Sequence, residues 1–205
     1  MSQPNQQNEE SENKMSFDEE YYLNETFNGK DLSESELKEI EFTGCTFEKV
    51  NFEKTKLKYV RFENCTFKSC NLGLVKLTGS RFIDCEFFDC KMIGINWTEA
   101  EEPVKIKVES SKIDYSIFFA MDLRRIEITE CEAREVNFEN ADISKGKFNG
   151  TNFISSKFKN TNLSASDFRE ASNYDINPEF NKIKKAKFSM PEVMTLLQCF
   201  DIEIS

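Results

Sequence analysis

The sequence of 205 residues predicts an all-β fold, a right-handed quadrilateral β-helix closed by a C-terminal capping or dimerisation helix. Three observations predict it. An apolar residue recurs at every fifth position, a small residue precedes it by two positions, and similar side chains recur at every twentieth position. A period of five matches neither the 3.6 residues of an α-helix nor the two of a flat strand.

The apolar positions form two series that differ in phase. The first comprises Tyr22, Phe27, Leu32, Leu37, Phe42, Phe47, Phe52, Leu57, Phe62, Phe67, Leu72, Leu77, Phe82, Phe87, Met92 and Trp97. The second comprises Ile113, Phe118, Leu123, Ile128, Ala133, Phe138, Ile143, Phe148, Phe153, Phe158, Leu163 and Phe168, with Ile183 and Phe188 in phase. Each series predicts a row of side chains that turn inward.

Recurrence at every twentieth position indicates that four five-residue units make one coil. Phe27, Phe47, Phe67 and Phe87 would then stack on one side of the rod. At the strand spacing of about 4.8 Å, seven to eight coils give a rod of roughly 35–40 Å. The three remaining positions of each unit are mostly polar and are expected to face water.

The chain divides into five segments. Residues 1–16 are predicted to be a disordered acidic tail, 17–97 the first part of the β-helix, 98–107 a loop excursion, 108–188 the second part, and 189–205 a helix with a short strand. About half of the net charge of −10 lies in residues 1–21, which hold six acidic residues and one lysine.

The segment 98–107 is the first candidate binding site, because loops on a rigid scaffold often carry function. It is an acidic loop with a proline, and the predicted contact residues are Glu99, Glu101, Glu102 and Pro103. The insertion is six residues if Val108 begins the next face and eleven if Ile113 does. We expect that its deletion leaves the fold intact. A surface bulge without a partner is the alternative.

Apolar residues at outward positions are the second candidate. Ile83, Phe88, Ile93 and Phe119, together with Ile117, lie near segment 98–107 in the sequence. They predict an apolar patch for a protein partner. Alternatively, Val104 and Ile106 fold back and cover them.

The C-terminus is predicted to cap the open end of the β-helix, where unpaired backbone would otherwise be exposed. Ser189 and Glu192 have the spacing of a helix capping box. The expected dimer interface consists of Val193, Met194, Leu196, Leu197, Phe200 and Ile202. A homodimer through this helix and a monomeric cap are both compatible with the pattern.

Composition argues against catalysis and for a cytoplasmic protein. The chain has no histidine, which removes the usual imidazole base and histidine metal ligands. Neither a cofactor nor a metal is expected, and the protein is not expected to be an enzyme. No apolar run is long enough to span a membrane, and the N-terminus does not resemble a signal peptide. The inward positions include six cysteines predicted to be buried and reduced: Cys45, Cys65, Cys70, Cys85, Cys90 and Cys131.

The units ENCTF-KSCNL (63–72) and ENADI (139–143) with NTNLSASDF (160–168) resemble the A(D/N)Lxx motif of pentapeptide-repeat proteins, over residues from about 17 to 188. The segment NYDINPEF and the residues after it further resemble the C-terminal end of Qnr-type quinolone-resistance proteins. That resemblance implies a twofold dimer and a partner in DNA gyrase or topoisomerase IV, with the acidic rod in place of DNA and no direct contact with nucleic acid.

Two features disagree with that implication. Lys56, Lys58 and Lys76 interrupt one face, whereas a DNA mimic requires a continuous acidic stripe. The unbroken phase from Tyr22 to Trp97 also leaves no place for the first of the two loops of Qnr proteins. The alternative is a structural or adaptor module that binds another protein and has no role with topoisomerases.

Overall fold

The computed structural model describes residues 17–200 and 202, and it confirms the four-sided β-helix, with about eight turns. Most strands have three residues with the middle one buried, as the five-residue period predicts. The predicted acidic tail of residues 1–16 lies outside the described residues. The strands are β1 (Tyr21–Leu23), β2 (Thr26–Asn28), β3 (Glu36–Lys38), β4 (Glu41–Thr43), β5 (Thr46–Glu48), β6 (Lys56–Lys58), β7 (Arg61–Glu63), β8 (Thr66–Lys68), β9 (Arg81–Ile83), β10 (Cys85–Phe88), β11 (Ile106–Glu109), β12 (Glu127–Thr129), β13 (Asp167–Phe168) and β14 (Lys187–Phe188).

Four faces surround the core, and every strand pairs in parallel with the equivalent strand of the next coil. The first face is β1-β4-β7-β9, and the second is β2-β5-β8-β10-β11-β12 continued by β13-β14. The third face is held by isolated bridges such as Asn51 with Asn71, and the fourth begins with β3-β6. Phe27 pairs with Phe47 and Phe47 with Phe67, which confirms the predicted register between coils.

The core consists of stacked aromatic rings and small side chains. The ring of Phe67 stacks on that of Phe47 at 4.8 Å and on that of Phe87 at 4.6 Å between centroids. These distances equal the spacing of hydrogen-bonded strands, so the rings add to backbone pairing. The aromatic ladder is therefore continuous along the second face in these coils.

The residue at the small inward position also forms a hydrogen bond. Its hydroxyl or thiol donates to the carbonyl of the large inward residue of the preceding coil. Thr55 Oγ1 donates to the carbonyl oxygen of Leu32 at 2.7 Å, and Cys65 Sγ to that of Phe42 at 3.3 Å. This bond satisfies a buried donor without another side chain, which explains how cysteine, serine and threonine all fit the position.

A left-handed residue occupies the position two after most large inward residues. Examples are Asn64 (φ 51°) and Glu130 (φ 54°). In the described part of the chain, none of the residues with positive φ is valine, isoleucine or threonine, because a β-branched side chain is costly in this conformation. The turn between faces thus places its own restriction on the sequence.

Segment 98–107 does not leave the rod. Cys85 pairs with Ile106 and Phe87 with Val108, so this coil is one residue longer than the regular ones, in place of the insertion of six or eleven left open by the sequence. Ala100, Val104 and Ile106 are buried. The segment forms part of the wall, so, contrary to the expectation from the sequence, its deletion should harm the fold.

The extra residue is absorbed by a change of turn. A short 3₁₀ helix (Trp97–Glu99) replaces the usual bend, and no residue between Gly94 and Ser110 has positive φ. The phase of the inward positions shifts there by one residue and then continues. We refer to this longer turn of the β-helix, which runs from Phe87 to Val108, as the irregular coil.

The C-terminal element is a 3₁₀ helix (Glu192–Phe200) and lacks the predicted capping box. The hydroxyl of Ser189 accepts from the backbone N–H of Glu170 at 2.9 Å, on the preceding coil, and is thereby used elsewhere. Because a 3₁₀ helix has three residues per turn, it buries Leu196 and half-buries Val193 and Cys199. Among the described residues no helix is long and apolar enough to cross a membrane.

Candidate partner-binding surface

The four residues predicted to form an apolar patch lie on four different faces. Ile83 points outward from the first face, Phe88 from the second, Ile93 from the third and Phe119 from the fourth. Successive five-residue units occupy successive sides of the rod, so closeness in sequence does not bring all four outward side chains together. Phe88 is instead covered by the ammonium group of Lys107, which lies 5.2 Å from the ring centroid.

A different apolar surface lies where the third and fourth faces meet. We name it the corner patch. It consists of Leu74, Ile93, Tyr115, Ile117 and Phe119. Ile93 is half-buried, whereas the other four side chains have exposed fractions between 39% and 55%. Clustering of exposed large apolar side chains is typical of a protein interaction site.

Register and turn geometry create the corner patch. Leu74 lies against Gly94 of the next coil, where a Cβ would come within 2.7 Å of its Cδ2. Glycine therefore leaves room for the leucine side chain to lie along the rod. In the following coil Phe118 turns inward, and because neighbours in an extended unit alternate, Ile117 and Phe119 both turn outward.

Sequence reasoning identified Ile93, Ile117 and Phe119 but missed Leu74 and Tyr115. Both occupy the left-handed turn position, with φ of 58° and 61°. Most residues at that position are polar or glycine, so a leucine and a tyrosine there were the signal that could have found them.

The acidic segment is only partly available to a partner. Glu99 Oε1 lies 3.9 Å from Lys76 Nζ, and its other carboxylate oxygen accepts from the backbone N–H of Leu77 at 3.3 Å. Glu101 forms a short ion pair with Arg81, whose hydrogen bond lowers the pKa of that carboxyl. Glu102 and Pro103 are exposed. The first two carboxylates therefore connect this segment to the preceding coil.

The charges do not form a continuous negative stripe along the second face. One outward row of that face reads Glu86, Lys107, Glu127, Lys147, Asp167 and Lys187 on successive coils. Opposite charges thus alternate, and Lys147 Nζ lies 2.6 Å from Glu127 Oε1. On the fourth face Lys58 pairs with Glu36 at 2.8 Å. Alternation of this kind stabilises the rod and weakens any long-range negative field.

The thiols of the β-helix are structural. All six cysteines at inward positions are buried and free, as predicted, and Cys199 is half-buried. Burial raises the pKa of Cys65 and of Cys131 to about 12, so neither is a thiolate at neutral pH. Within the described part of the chain, no group of three His, Cys, Asp or Glu side chains could hold a metal ion.

The predicted dimer residues divide into buried and exposed sets. Leu196 is buried on the last coil, Val193 packs against the core, and Met194 and Leu197 are half-buried. Phe200 and Ile202 are 51% and 55% exposed. The cap thus uses part of the apolar surface and leaves part of it open.

Comparison with known structures finds the same fold in proteins of different roles. A trypsin-treated form of QnrB1, described as a plasmid-mediated fluoroquinolone resistance protein, has 21% sequence identity and a TM-score of 0.63, covering 91% of this chain and 90% of its own. HetL of the cyanobacterium Nostoc, a pentapeptide-repeat protein involved in heterocyst differentiation regulation, has 11% identity and a TM-score of 0.57, covering 88% of this chain and 90% of its own. No curated protein matches the sequence significantly.

Family models agree with the geometry. The model of the pentapeptide repeat region matches residues 40–138, and that of eight-copy pentapeptide repeats matches 122–160 and 134–170. Together they span most of the regular coils. Five-residue units, four faces and pairing between equivalent units of successive coils are the structural expression of this repeat, and the chain belongs to the pentapeptide-repeat family.

Proposed function

We propose that this protein is a non-catalytic binding protein that presents the corner patch to a protein partner in the cytoplasm. The single observation that carries the proposal is the clustering of Leu74, Tyr115, Ile117 and Phe119, which are all exposed on adjoining coils. Because each of these side chains is about half exposed, leaving it in water forgoes about 1 kcal/mol, which burial against a partner would recover in part.

Rigidity supports this role. The patch residues lie next to fully buried neighbours such as Phe118 and Ile113, so their backbone is held by the core. A partner therefore meets a preformed surface and loses little free energy to ordering it.

Site-specific photo-crosslinking in host cells tests the proposal. A photoreactive phenylalanine analogue replaces Phe119, and a matched control carries it at Lys159, which is also exposed on the fourth face. We expect one discrete crosslinked protein from position 119 that is absent from position 159. The Ile117→Asp change in the same chain should abolish that product. Identical products from both positions would contradict the proposal.

Protection of DNA gyrase or topoisomerase IV is the second candidate. It is supported by the QnrB1-like fold over 91% of the chain and by the C-terminal sequence resemblance. Segment 98–107 is its proposed contact, through Glu102 and Pro103, which are exposed there. The alternating charge row on the second face disfavours a DNA mimic that acts through a continuous acidic stripe.

A supercoiling assay separates the two candidates. It uses gyrase from the protein's own host and an inhibitory concentration of ciprofloxacin. Topoisomerase protection would be supported if the wild type rescues supercoiling and a Glu102→Lys, Pro103→Ala variant does not. The thermal melt of that variant should match the wild type. Rescue lost only with Ile117→Asp would assign gyrase as the partner of the corner patch. Absence of rescue at saturating protein leaves the adaptor role as the proposal.

A further inference from the structure

A groove on the opposite side of the rod has no role in the surface described above. It lies between the first and second faces, beside the irregular coil, and has a main chamber of about 650 Å³. A smaller chamber of about 360 Å³ adjoins it. Volumes of this size are typical of small-ligand sites.

Cations dominate the region that both chambers share. The residues that line both are Val104, Lys105, Arg124 and Arg125, and Lys145 lines the smaller one. Val104 is buried, as are Ile106 and Ile126 in the main chamber. The groove therefore combines an apolar floor with cationic walls.

Three of these cations form a row that contrasts with the alternating charges of the second face. Lys105, Arg125 and Lys145 occupy equivalent positions on three successive coils, because Lys107 pairs with Glu127 and Glu127 with Lys147. Among the described residues none of the three side chains forms an ion pair. The three like charges repel one another, so an anion that lies against the row would lower its electrostatic energy.

Nearby carboxylates limit the length of the site. Asp84 occupies the equivalent position on the coil before Lys105, and Glu86 and Glu127 also line the main chamber. Asp122 is held by Arg124 at 2.6 Å, and Glu127 is bound by a lysine outside the groove. At the other end Ala165 ends the cation row. The row thus has a defined length of three charges.

We propose that this groove binds a short chain of linked phosphates. The three cations repeat at the coil spacing of about 4.8 Å, so they span roughly 10 Å along the rod. Carboxylates on one side of an extended acidic peptide repeat at about 6.6 Å, which does not match that spacing. A flexible oligophosphate carries more closely spaced charges and can place one against each cation. Arg125 supplies a planar fork, and Lys105 and Lys145 supply point charges for the anionic oxygens.

Isothermal titration calorimetry with sodium tripolyphosphate in low-salt buffer tests the proposal on the full chain. We expect saturable one-to-one binding by the wild type. Arg125→Gln should weaken it about 10-fold or more, since a charge-assisted hydrogen bond is lost, and the triple change with Lys105→Gln and Lys145→Gln should weaken it further. Lys159→Gln removes one cation from the fourth face and should change affinity less than about 2-fold. Thermal melts verify that each variant is folded.

Three results would overturn the proposal. Wild-type protein that takes up no tripolyphosphate at millimolar concentration has no such site. An equal loss in Lys159→Gln and Arg125→Gln would mean diffuse attraction by surface charge. Tighter binding of orthophosphate or of a hexaglutamate peptide than of tripolyphosphate would exclude a linked-phosphate ligand. Loss in the groove variants alone, with preference for tripolyphosphate, is the supporting result.

Discussion

The small inward residue shows how one position can meet two physical requirements. It must fit beside a large aromatic neighbour, and its polar atom must find a partner in the core. A backbone carbonyl of the preceding coil supplies that partner for Thr151 at 2.8 Å and for Cys131 at 3.7 Å. Sulfur forms longer hydrogen bonds than oxygen, and the Cys131 thiol also lies 3.1 Å from the carbonyl oxygen of Thr129 in its own coil.

Buried thiols predict a loss of stability at alkaline pH. Burial raises the pKa of Cys65 and Cys131 from 9.0 to about 12, so between these pH values the unfolded chain loses protons that the folded protein keeps. The free energy of unfolding therefore falls as pH rises, by about 1.4 kcal/mol per pH unit for each thiol. A Cys65→Ser, Cys131→Ser variant should show a shallower fall above pH 9 in urea denaturation.

Serine is the matched replacement because its hydroxyl already serves at equivalent positions such as Ser166. At pH 7 the variant should retain the wild-type free energy of unfolding to within about 1 kcal/mol per substitution. Equal slopes for the two proteins between pH 9 and 12 would contradict the assignment of the alkaline transition to these thiols.

At the scale of elements, the C-terminal segment has a buried side and an exposed side. Leu196 covers the last coil, while Phe200 and Ile202 remain exposed. The proposed homodimer would bury these exposed side chains against a second copy.

Two substitutions separate capping from dimerisation. Phe200→Asp should give a monomer in sedimentation whose melting temperature is close to that of the wild type at high dilution, because an exposed site contributes within about 0.5 kcal/mol. Leu196→Ala should lower the free energy of unfolding by about 2–4 kcal/mol, since it leaves a cavity. A wild-type protein that sediments as a monomer would refute the dimer.

At the scale of the whole molecule, the rod is a stack in which each coil contacts mainly its neighbours. A change in the length of one coil therefore affects the neighbouring coils, because it alters which residues pair between them. The irregular coil is compatible with the fold only because Trp97 still stacks on Phe118 at 5.7 Å and Phe87 still pairs with Val108.

Deletion of residues 98–107 should consequently destabilise the protein. It leaves only about half of the irregular coil, too little chain to pass all four faces, and it removes the buried Ala100, Val104 and Ile106. We expect a lower or non-cooperative thermal transition by circular dichroism. The double change Glu102→Ala, Pro103→Ala keeps the length and should melt close to the wild type; a deletion mutant as stable as this control would show that the segment is dispensable.

The side chains that turn inward can be read from the amino-acid pattern of the chain alone. Phe47 and Cys45 are buried because alternation within an extended five-residue unit is a local property, and local periodicity is visible in one chain. The same holds for the register between regular coils, because stacked rings such as Phe47 and Phe67 favour like over like. These features were predicted correctly from the pattern alone.

The contacts between outward side chains, in contrast, depend on how the coils stack. Leu74 and Tyr115 lie two coils apart, and their juxtaposition depends on the one-residue offset of the irregular coil. That offset follows from how backbone hydrogen bonds pair across coils, and no local pattern contains it. The 3₁₀ form of the C-terminal helix is likewise set by packing on the last coil, because so short a segment cannot decide its geometry by intrinsic propensity.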